Sequence, residues 1–263
     1  MRGNTVKQRF LSGQSIVNGW LSIPSSYAAE VVASQGFDAV TVDMQHGMMD
    51  FETGVSMLQA ISATPAMPLV RCSSMDEAQI MRLLDAGAYG VICPSIDTPE
   101  LAAAFVAACR YPPVGNRSFG PARGLLYGGP DYFEHANDHI LTLAMIESQS
   151  ALDNLDAILD TPGLDGVYVG PNDLALSLGE RPGSEMQGMV ADAIGGILQA
   201  ALARNLLAGI FCGSSAVARQ RLEQGFHLVT PGNDANMLGG ACKTRIAETL
   251  SAAGAGQKSS TGY

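Results

Sequence analysis

Lysine is almost absent from this chain of 263 residues: Lys7, Lys243 and Lys258 are all of it. None follows a strand-like run, so no lysine is placed to form a Schiff base with a carbonyl substrate. Cysteine is nearly as sparse. Cys72, Cys93, Cys109, Cys212 and Cys242 are scattered without a C-x-x-C pair, which removes the spacing of a structural zinc site. An odd number of thiols with no leader reads as reduced, buried cysteine in a cytoplasmic protein. Cys72 and Cys212, near strand ends, are the two closest to any chemistry. No G-x-G-x-x-G follows the first strand, which weakens a dinucleotide-binding fold. The opening MRGNTVKQRFLSGQ has no apolar core, so neither a signal peptide nor a transmembrane span is read. Positive charge is in deficit, with a formal net charge of -10. Nucleic acid and anionic membranes are therefore poor candidates for the principal partner, although a locally positive site remains free to bind small anions.

Apolar residues make up 47% of the chain, enough for one large domain with a full core. Short apolar, β-branched runs alternate with longer amphipathic ones. IVNGWLSI leads into SSYAAEVVASQG, DAVTVDMQ into FETGVSMLQAIS, and MPLVRCS into MDEAQIMRLLDAG. The alternation continues through YGVICPSI, LTLAMIE, GVYVGPND, LAGIFCG and HLVTPGND, each followed by a helical pattern. Strands that are apolar throughout are expected where helices cover a parallel sheet. Eight such units predict an α/β fold, a closed (β/α)8 TIM barrel spanning residues 1–263, better than a doubly wound sheet. Gly36, Gly87, Gly163 and Gly225 stand just past helical patterns, as C-terminal stops. Asp76, Thr98 and Ser150 stand where N-caps belong, and Pro99 fits a first helical position. The segment at about 111–138 is rich in Gly, Pro and Arg and reads as an irregular insertion, long enough to cross a neighbour or reach an interface. The small, polar tail at about 253–263 reads as disordered.

In such a barrel, chemistry gathers at the carboxyl ends of the strands. Those ends offer Trp20 and Ser25, then Asp43, Gln45 and His46, then Arg71, Glu147, Asn172 and Asp173. Glu147 and Asp173, about one βα unit apart, form an oxygen-rich site for a hard cation with open positions. A cation there would polarise a carbonyl as a Lewis acid. A guanidinium would stabilise a developing enolate, and an imidazole would move a proton near neutral pH. Each residue alone has a plainer reading. His46 could be a hydrogen-bonded core histidine, Arg71 a partner of a structural carboxylate, Glu147 a helix-terminus carboxylate, and Asp173 a turn residue. Their convergence on one barrel face favours chemistry. His135 and His139, four apart, lack a third ligand nearby, and His227 opens the last strand at the wrong end.

Several runs together resemble a known family. V-D-M-Q-H-G, P-L-V-R, R-Y-P-P-x-G-x-R-S-F-G-P-x-R, M-I-E-S, L-D-N-L-D-x-I-L and G-V-Y-V-G-P-N-D-L are similar to those of the metal-dependent (class II) pyruvate aldolases. That family includes the 4-hydroxy-2-oxoheptanedioate and 2-keto-3-deoxy-glucarate aldolases, and the likeness runs from about Gly19 to Leu250. The resemblance implies metal carboxylates at Glu147 and Asp173, holding Mg2+, Mn2+ or Co2+. It implies a catalytic histidine at His46, a transition-state arginine at Arg71, and an aspartate that raises the histidine's basicity at Asp85. Asp85 falls near the end of a helix, far from the barrel mouth, so it could act only from a neighbouring subunit of a trimer-based hexamer. Asp43 is the local rival for that role. Substrate contacts are implied at Gly170, Pro171, Asn172 and Asp173, with Trp20 and Arg71 beside them.

Two residues depart from the family pattern. Met145 stands where many members have Gln, which removes a polar substrate contact and puts the usual diacid substrates in doubt. Gln45 replaces a Glu beside the histidine. The expected reaction is reversible cleavage of a 4-hydroxy-2-oxo acid to an aldehyde and pyruvate, or an analogue such as hydroxypyruvate, through a metal-stabilised enolate. His46 would take the 4-hydroxyl proton and Arg71 would support the enolate. The rival readings are a CoA-thioester lyase of the malyl or citryl type, which needs a cationic patch for nucleotide phosphates, and a non-catalytic barrel that binds a 2-oxo acid. The loops Arg117 to Arg123 and Phe211 to Ser215 are expected on the aldehyde side.

Overall fold

The computed structural model describes residues 1–252. The polar tail expected at 253–263 lies outside the described residues. Eight parallel strands close into a barrel in chain order. They are β1 (Ile16–Leu21), β2 (Ala39–Asp43), β3 (Met67–Arg71), β4 (Gly90–Cys93), β5 (Leu141–Ile146), β6 (Gly166–Val169), β7 (Leu207–Phe211) and β8 (Leu228–Thr230). The expected (β/α)8 architecture is therefore observed. Between them run α2 (Ser26–Ala33), α3 (Phe51–Ser62), α4 (Glu77–Asp85), α5 (Pro99–Cys109), α11 (Gly188–Ala203) and α12 (Ser215–Gln224), preceded by α1 (Thr5–Leu11) and followed by α13 (Asp234–Ala252).

The strands carry almost no exposed side chain, because the barrel interior covers one face and the helical ring the other. Register and alternation set Trp20, Asp43, Arg71, Met145, Tyr168 and Phe211 on the inner face near the carboxyl ends. Below them Asn18, Thr41 and Thr230 share buried hydrogen bonds, which Tyr168 joins by donating from Oη to Thr230 Oγ1 at 2.7 Å. The seam between β1 and β8 pairs only Ile16 with Leu228 and Val17 with Val229. Above that short ladder, Asp234 accepts hydrogen bonds from the Ser22 amide and hydroxyl and the Ile23 amide, and ties the two loops together.

Local signals hold at most ends. Asp76 and Thr98 cap α4 and α5, and Pro99 opens α5. Gly36, Gly87, Gly163 and Gly225 all have positive φ. Four expectations need correction. Ser148, not Ser150, caps the helix after β5, because its hydroxyl is the one that reaches the Ala151 amide. That helix is broken at Asn154 into α8 (Gln149–Asp153) and α9 (Leu155–Leu159). The insertion is not irregular throughout; it carries α6 (Ala122–Gly128) and α7 (Tyr132–His139). Cys72, Cys93, Cys109 and Cys212 are buried as expected, but Cys242 is exposed on α13, whose side chains stand in solvent from Ala235 to Thr249. The N-terminal segment also forms α1, capped by Asn4, whose side-chain amide donates to the Tyr89 and His139 carbonyls and closes the barrel bottom. No helix among the described residues is long and apolar enough to cross a membrane.

Glycine at the start of β6 is a packing requirement. A Cβ at Gly166 would lie 2.2 Å from the Leu207 carbonyl oxygen and 2.8 Å from its Cβ. Backbone cannot yield as a side-chain tip can. Gly166→Ala is expected to destabilise the barrel by about 1–3 kcal/mol, read as a lower thermal midpoint; an unchanged midpoint would contradict this packing.

Candidate active site

A cavity of about 540 Å³ opens at the carboxyl ends of the strands. Its organising contact joins two inward side chains from adjacent strands, since Asp43 ends β2 in register with Arg71 at the end of β3. Arg71 Nε donates to Asp43 Oδ1 at 2.9 Å, and Nη2 donates to Oδ2 at 2.5 Å. Trp20 Nε1 donates to the same Oδ2 at 3.0 Å, and the guanidinium carbon lies 4.9 Å from the Trp20 ring centroid. Asp43 Oδ1 also accepts the backbone amides of Gln45 and His46, both at 3.1 Å. Burial alone would raise the Asp43 carboxyl; the Arg71 guanidinium, the His46 amide and the Trp20 N–H together outweigh it, and the group is held below its ordinary value. Trp20 in turn stacks on Tyr168 at 5.5 Å and meets Phe211 edge-on at 5.7 Å.

The two other carboxylates follow neighbouring strands. Glu147 comes directly after β5, and Asp173 lies in the first turn of α10 (Pro171–Ser177), a short helix following β6 that the chain pattern did not reveal. Asp173 is exposed in the cavity, whereas Glu147 is 7% exposed and abuts Gly170, which lines it. Glu147 Oε1 accepts the Ser95 amide at 2.9 Å, while Oε2 is buried with no partner. Burial raises the Glu147 carboxyl above its ordinary value; the Ser95 amide opposes this, Asp173's charge adds to the rise, and Arg71 opposes it. An orphaned buried carboxylate oxygen, with a second carboxylate near enough for its charge to raise the first, fits a hard cation. A Cβ on Gly170 would come within 2.3 Å of Oε2, so glycine leaves that oxygen its space. No group of three or more His, Cys, Asp or Glu that could hold a metal occurs among the described residues, so any cation would keep positions open for water or substrate.

The structure brings together Trp20, Asp43, His46, Arg71, Gly170, Pro171, Asn172 and Asp173 on one cavity. His46 is exposed at the rim, and its imidazole makes no hydrogen bond to the described residues. Neither rival aspartate contacts that imidazole. Asp43 holds only the His46 backbone, and Asp85 ends α4, bonded to Arg117 Nη2 at 2.7 Å and away from the cavity. Arg117 is buried against Tyr132, and Arg123 donates to the Ala86 carbonyl, so neither reaches this cavity as expected for the aldehyde side. Ser25 caps α2. His135 pairs with Asp131, and His227 Nδ1 accepts the Ala208 amide. The chain pattern missed Ser22, Tyr168, Asn233 and Asn236 in the lining, and Ser95 behind Glu147; a serine after β4 carries no signal of its own.

The family model for HpcH/HpaI aldolase/citrate lyase matches residues 18–240. The chain is 42% identical over 246 residues to a hydroxypyruvate/pyruvate aldolase of Rhizorhabdus wittichii, covering 93% of this chain and 98% of the relative. It is 38% identical over 257 residues to a 4-hydroxy-2-oxo-heptane-1,7-dioate aldolase of Klebsiella pneumoniae, covering 95% and 93%. The crystal structure of an HpcH/HpaI aldolase/citrate lyase family protein from Burkholderia cenocepacia superposes with a TM-score of 0.88 at 35% identity, covering 94% of this chain and 99% of that one.

Removing the carboxylate that clasps Arg71 leaves a guanidinium buried without its counter-charge. Asp43→Asn is expected to cost about 3–5 kcal/mol of stability at neutral pH. Because the folded carboxyl sits below its ordinary value of 3.8, its contribution is complete above that value and is lost as pH falls through the lower folded value. The stability gap between wild type and variant should be constant from pH 7 to about pH 5 and narrow toward pH 2. A gap that widens in acid would overturn the assignment.

Proposed function

Because the chain belongs to the HpcH/HpaI aldolase/citrate lyase family, we propose that it is a carbon–carbon lyase reversibly cleaving a 4-hydroxy-2-oxo acid to an aldehyde and pyruvate or hydroxypyruvate. One observation carries the reading: the unpartnered Glu147 Oε2 lies directly behind Gly170, which lines the same cavity as Asp173 and the Arg71–Asp43 clasp. Glu147 and Asp173 would hold a divalent cation, Mg2+, Mn2+ or Co2+. When bound, it supplies Lewis acidity toward the 2-oxo group. Asp43 occupies Nε and Nη2 of Arg71, which leaves Nη1 to meet the oxygen that gains charge as the enolate develops. The backbone from Gly170 to Asp173 receives the substrate carboxylate. His46, at the rim and free of other hydrogen bonds, takes the 4-hydroxyl proton as the C3–C4 bond breaks. The aldehyde leaves, and protonation of the enolate carbon completes the keto acid.

Among the described residues lining the cavity, Arg71 is the sole lysine or arginine, and it is already paired. Nucleotide phosphates would find no counter-charge there, which disfavours a CoA-thioester substrate. The reading extends to one catalytic domain acting as a cytoplasmic homo-oligomer, hexameric by resemblance. Its support is the exposed apolar surface at Phe119, Leu126 and Phe133, and the free thiols. Asp85, beside that surface, would assist a partner's His46 only across such an interface.

With chelator-treated protein, pyruvate release from a 4-hydroxy-2-oxo acid should vanish and return with Mg2+, Mn2+ or Co2+, followed by a pyruvate-coupled assay. No release from several such acids after metal return would sink the reading. His46→Ala should lower kcat/KM by about 10²–10⁴-fold; full activity would remove the base assignment. Gly170→Ala should weaken Mn2+ binding by about 10–100-fold in a direct titration, because its methyl would crowd Glu147 Oε2.

A further inference from the structure

The guanidinium half of the mouth is built on β1 to β3, through Trp20, Asp43 and Arg71; the carboxylate half follows β5 and β6, through Glu147 and Asp173. In the closed ring β7 and β8 separate β6 from β1. Tyr168 on β6 crosses that gap inside the barrel. Its ring stacks on Trp20, with centroids 5.5 Å apart and planes 28° from parallel. Its hydroxyl donates to Thr230 Oγ1 on β8 at 2.7 Å, and Thr230 Oγ1 lies 2.9 Å from the Asn18 side-chain amide on β1. The crossing is possible because β7 carries no side chain there. Gly209 stands in register with Tyr168, and a Cβ on it would lie 2.8 Å from the ring carbon Cδ2 of Tyr168.

The Tyr168 hydroxyl is not placed for proton transfer. It is spent on Thr230, a residue outside the cavity lining. Tyr168 is fully buried, and burial pushes its phenol well above its ordinary value. The ring has a mechanical use instead. Trp20 Nε1 holds Asp43 Oδ2 at 3.0 Å, and the Trp20 ring lies 4.9 Å from the Arg71 guanidinium carbon. An aromatic ring pinned at its far end by a hydrogen bond, and packed against the backbone of β7, has little room to slide. The indole stacked on it is then held too, and with it the carboxylate that clasps Arg71.

We infer that Tyr168 is a positioning residue: its bond to Thr230 makes it a strut that holds the Trp20 indole and, through Asp43, the Arg71 guanidinium in place relative to Glu147 and Asp173. The inference rests on the aldolase reading above. The two halves are close enough for a small displacement to matter, since the Arg71 charge is felt at the Glu147 carboxyl. A guanidinium that drifts loses most where charge develops, at the enolate oxygen, and least where the keto acid is merely bound. Loosening the strut therefore costs turnover rather than substrate affinity.

Trp20 is the only tryptophan in the chain, so its fluorescence reports this site alone. Tyr168→Phe keeps the ring and removes the bond to Thr230. In the full-length protein with Mn2+, kcat for pyruvate release from a 4-hydroxy-2-oxo acid should fall by about tenfold with KM little changed. Acrylamide should quench Trp20 more strongly than in the wild type, in a variant that still unfolds cooperatively. Thr230→Val removes the same bond from the other end. It should reproduce both changes, and the double variant should lose no more than either single one. An unchanged kcat, a fall in kcat that leaves Trp20 quenching unmoved, or a double variant whose losses multiply overturns the strut. Quenching is read without metal or substrate, which separates the two readings. A wild type that releases no pyruvate removes the aldolase reading, while stronger quenching in both variants still shows Tyr168 holding Trp20.

Discussion

The bidentate bond between Asp43 and Arg71 is the contact on which the rest of the mouth depends. Both side chains are buried, with side-chain exposures of 3% and 9%. Each charge alone would be costly there, and each is tolerable because the other is 2.5 Å away. The pair does more than neutralise itself. Asp43 collects the Trp20 indole N–H and two backbone amides of the following turn, so one carboxylate positions the guanidinium, the aromatic wall and the loop that carries His46. Arg71 is fixed by two nitrogens and lies near the Trp20 ring, which leaves little orientational entropy to lose when substrate arrives. A preorganised guanidinium is worth more to a developing negative charge than a mobile one.

Much of this was legible in the chain. Eight apolar runs with helical patterns between them were sufficient to define the barrel, because period and burial are one-dimensional signals. Asp43, His46, Arg71, Glu147 and Asp173 stood out because a barrel concentrates chemistry at strand ends, and the structure sets all five at that end of the barrel. What stayed hidden was of another kind. Asp43 read as a rival base partner, yet its oxygens go to Arg71 and Trp20; a carboxylate's choice among donors depends on three-dimensional distance. Ser95 was invisible because its contribution is a backbone amide. The helix α10 escaped because seven residues beginning Pro-Asn-Asp resemble a turn. Its first turn is nonetheless what presents Asp173.

The exposed face of α13 is a second case of the same limit. ANMLGGACKTRIAETL has the composition of an ordinary outer helix, and the repeat pattern supplies an eighth one to cover the barrel. The structure sets its side chains in solvent, Leu238 and Ile246 included. Periodicity reports that a helix has an apolar side; it does not report which surface that side meets.

Glu147 shows how the fold holds a carboxylate away from its most stable state. Its Oε2 is buried without a donor, its neighbour Asp173 carries like charge, and its carboxyl is raised by burial. Ser95 reaches it only by adopting φ of 54°, a left-handed conformation that a side-chain-bearing residue seldom takes. Strain of that kind costs on the order of 1–3 kcal/mol and persists where the surroundings determine it fully. Here they do, since Cys93 and Ile96 on either side are fully buried. The amide is thus fixed on Oε1, and Gly170 keeps the space beside Oε2 open. A divalent cation held there would relieve both the unpaired oxygen and the carboxylate repulsion, so the unfavourable state of these carboxylates would contribute to affinity for the ion. Met145, two residues before Glu147, lines the cavity with a thioether, which offers a hard cation no oxygen ligand. Two carboxylates alone would leave such a cation open positions for water and substrate.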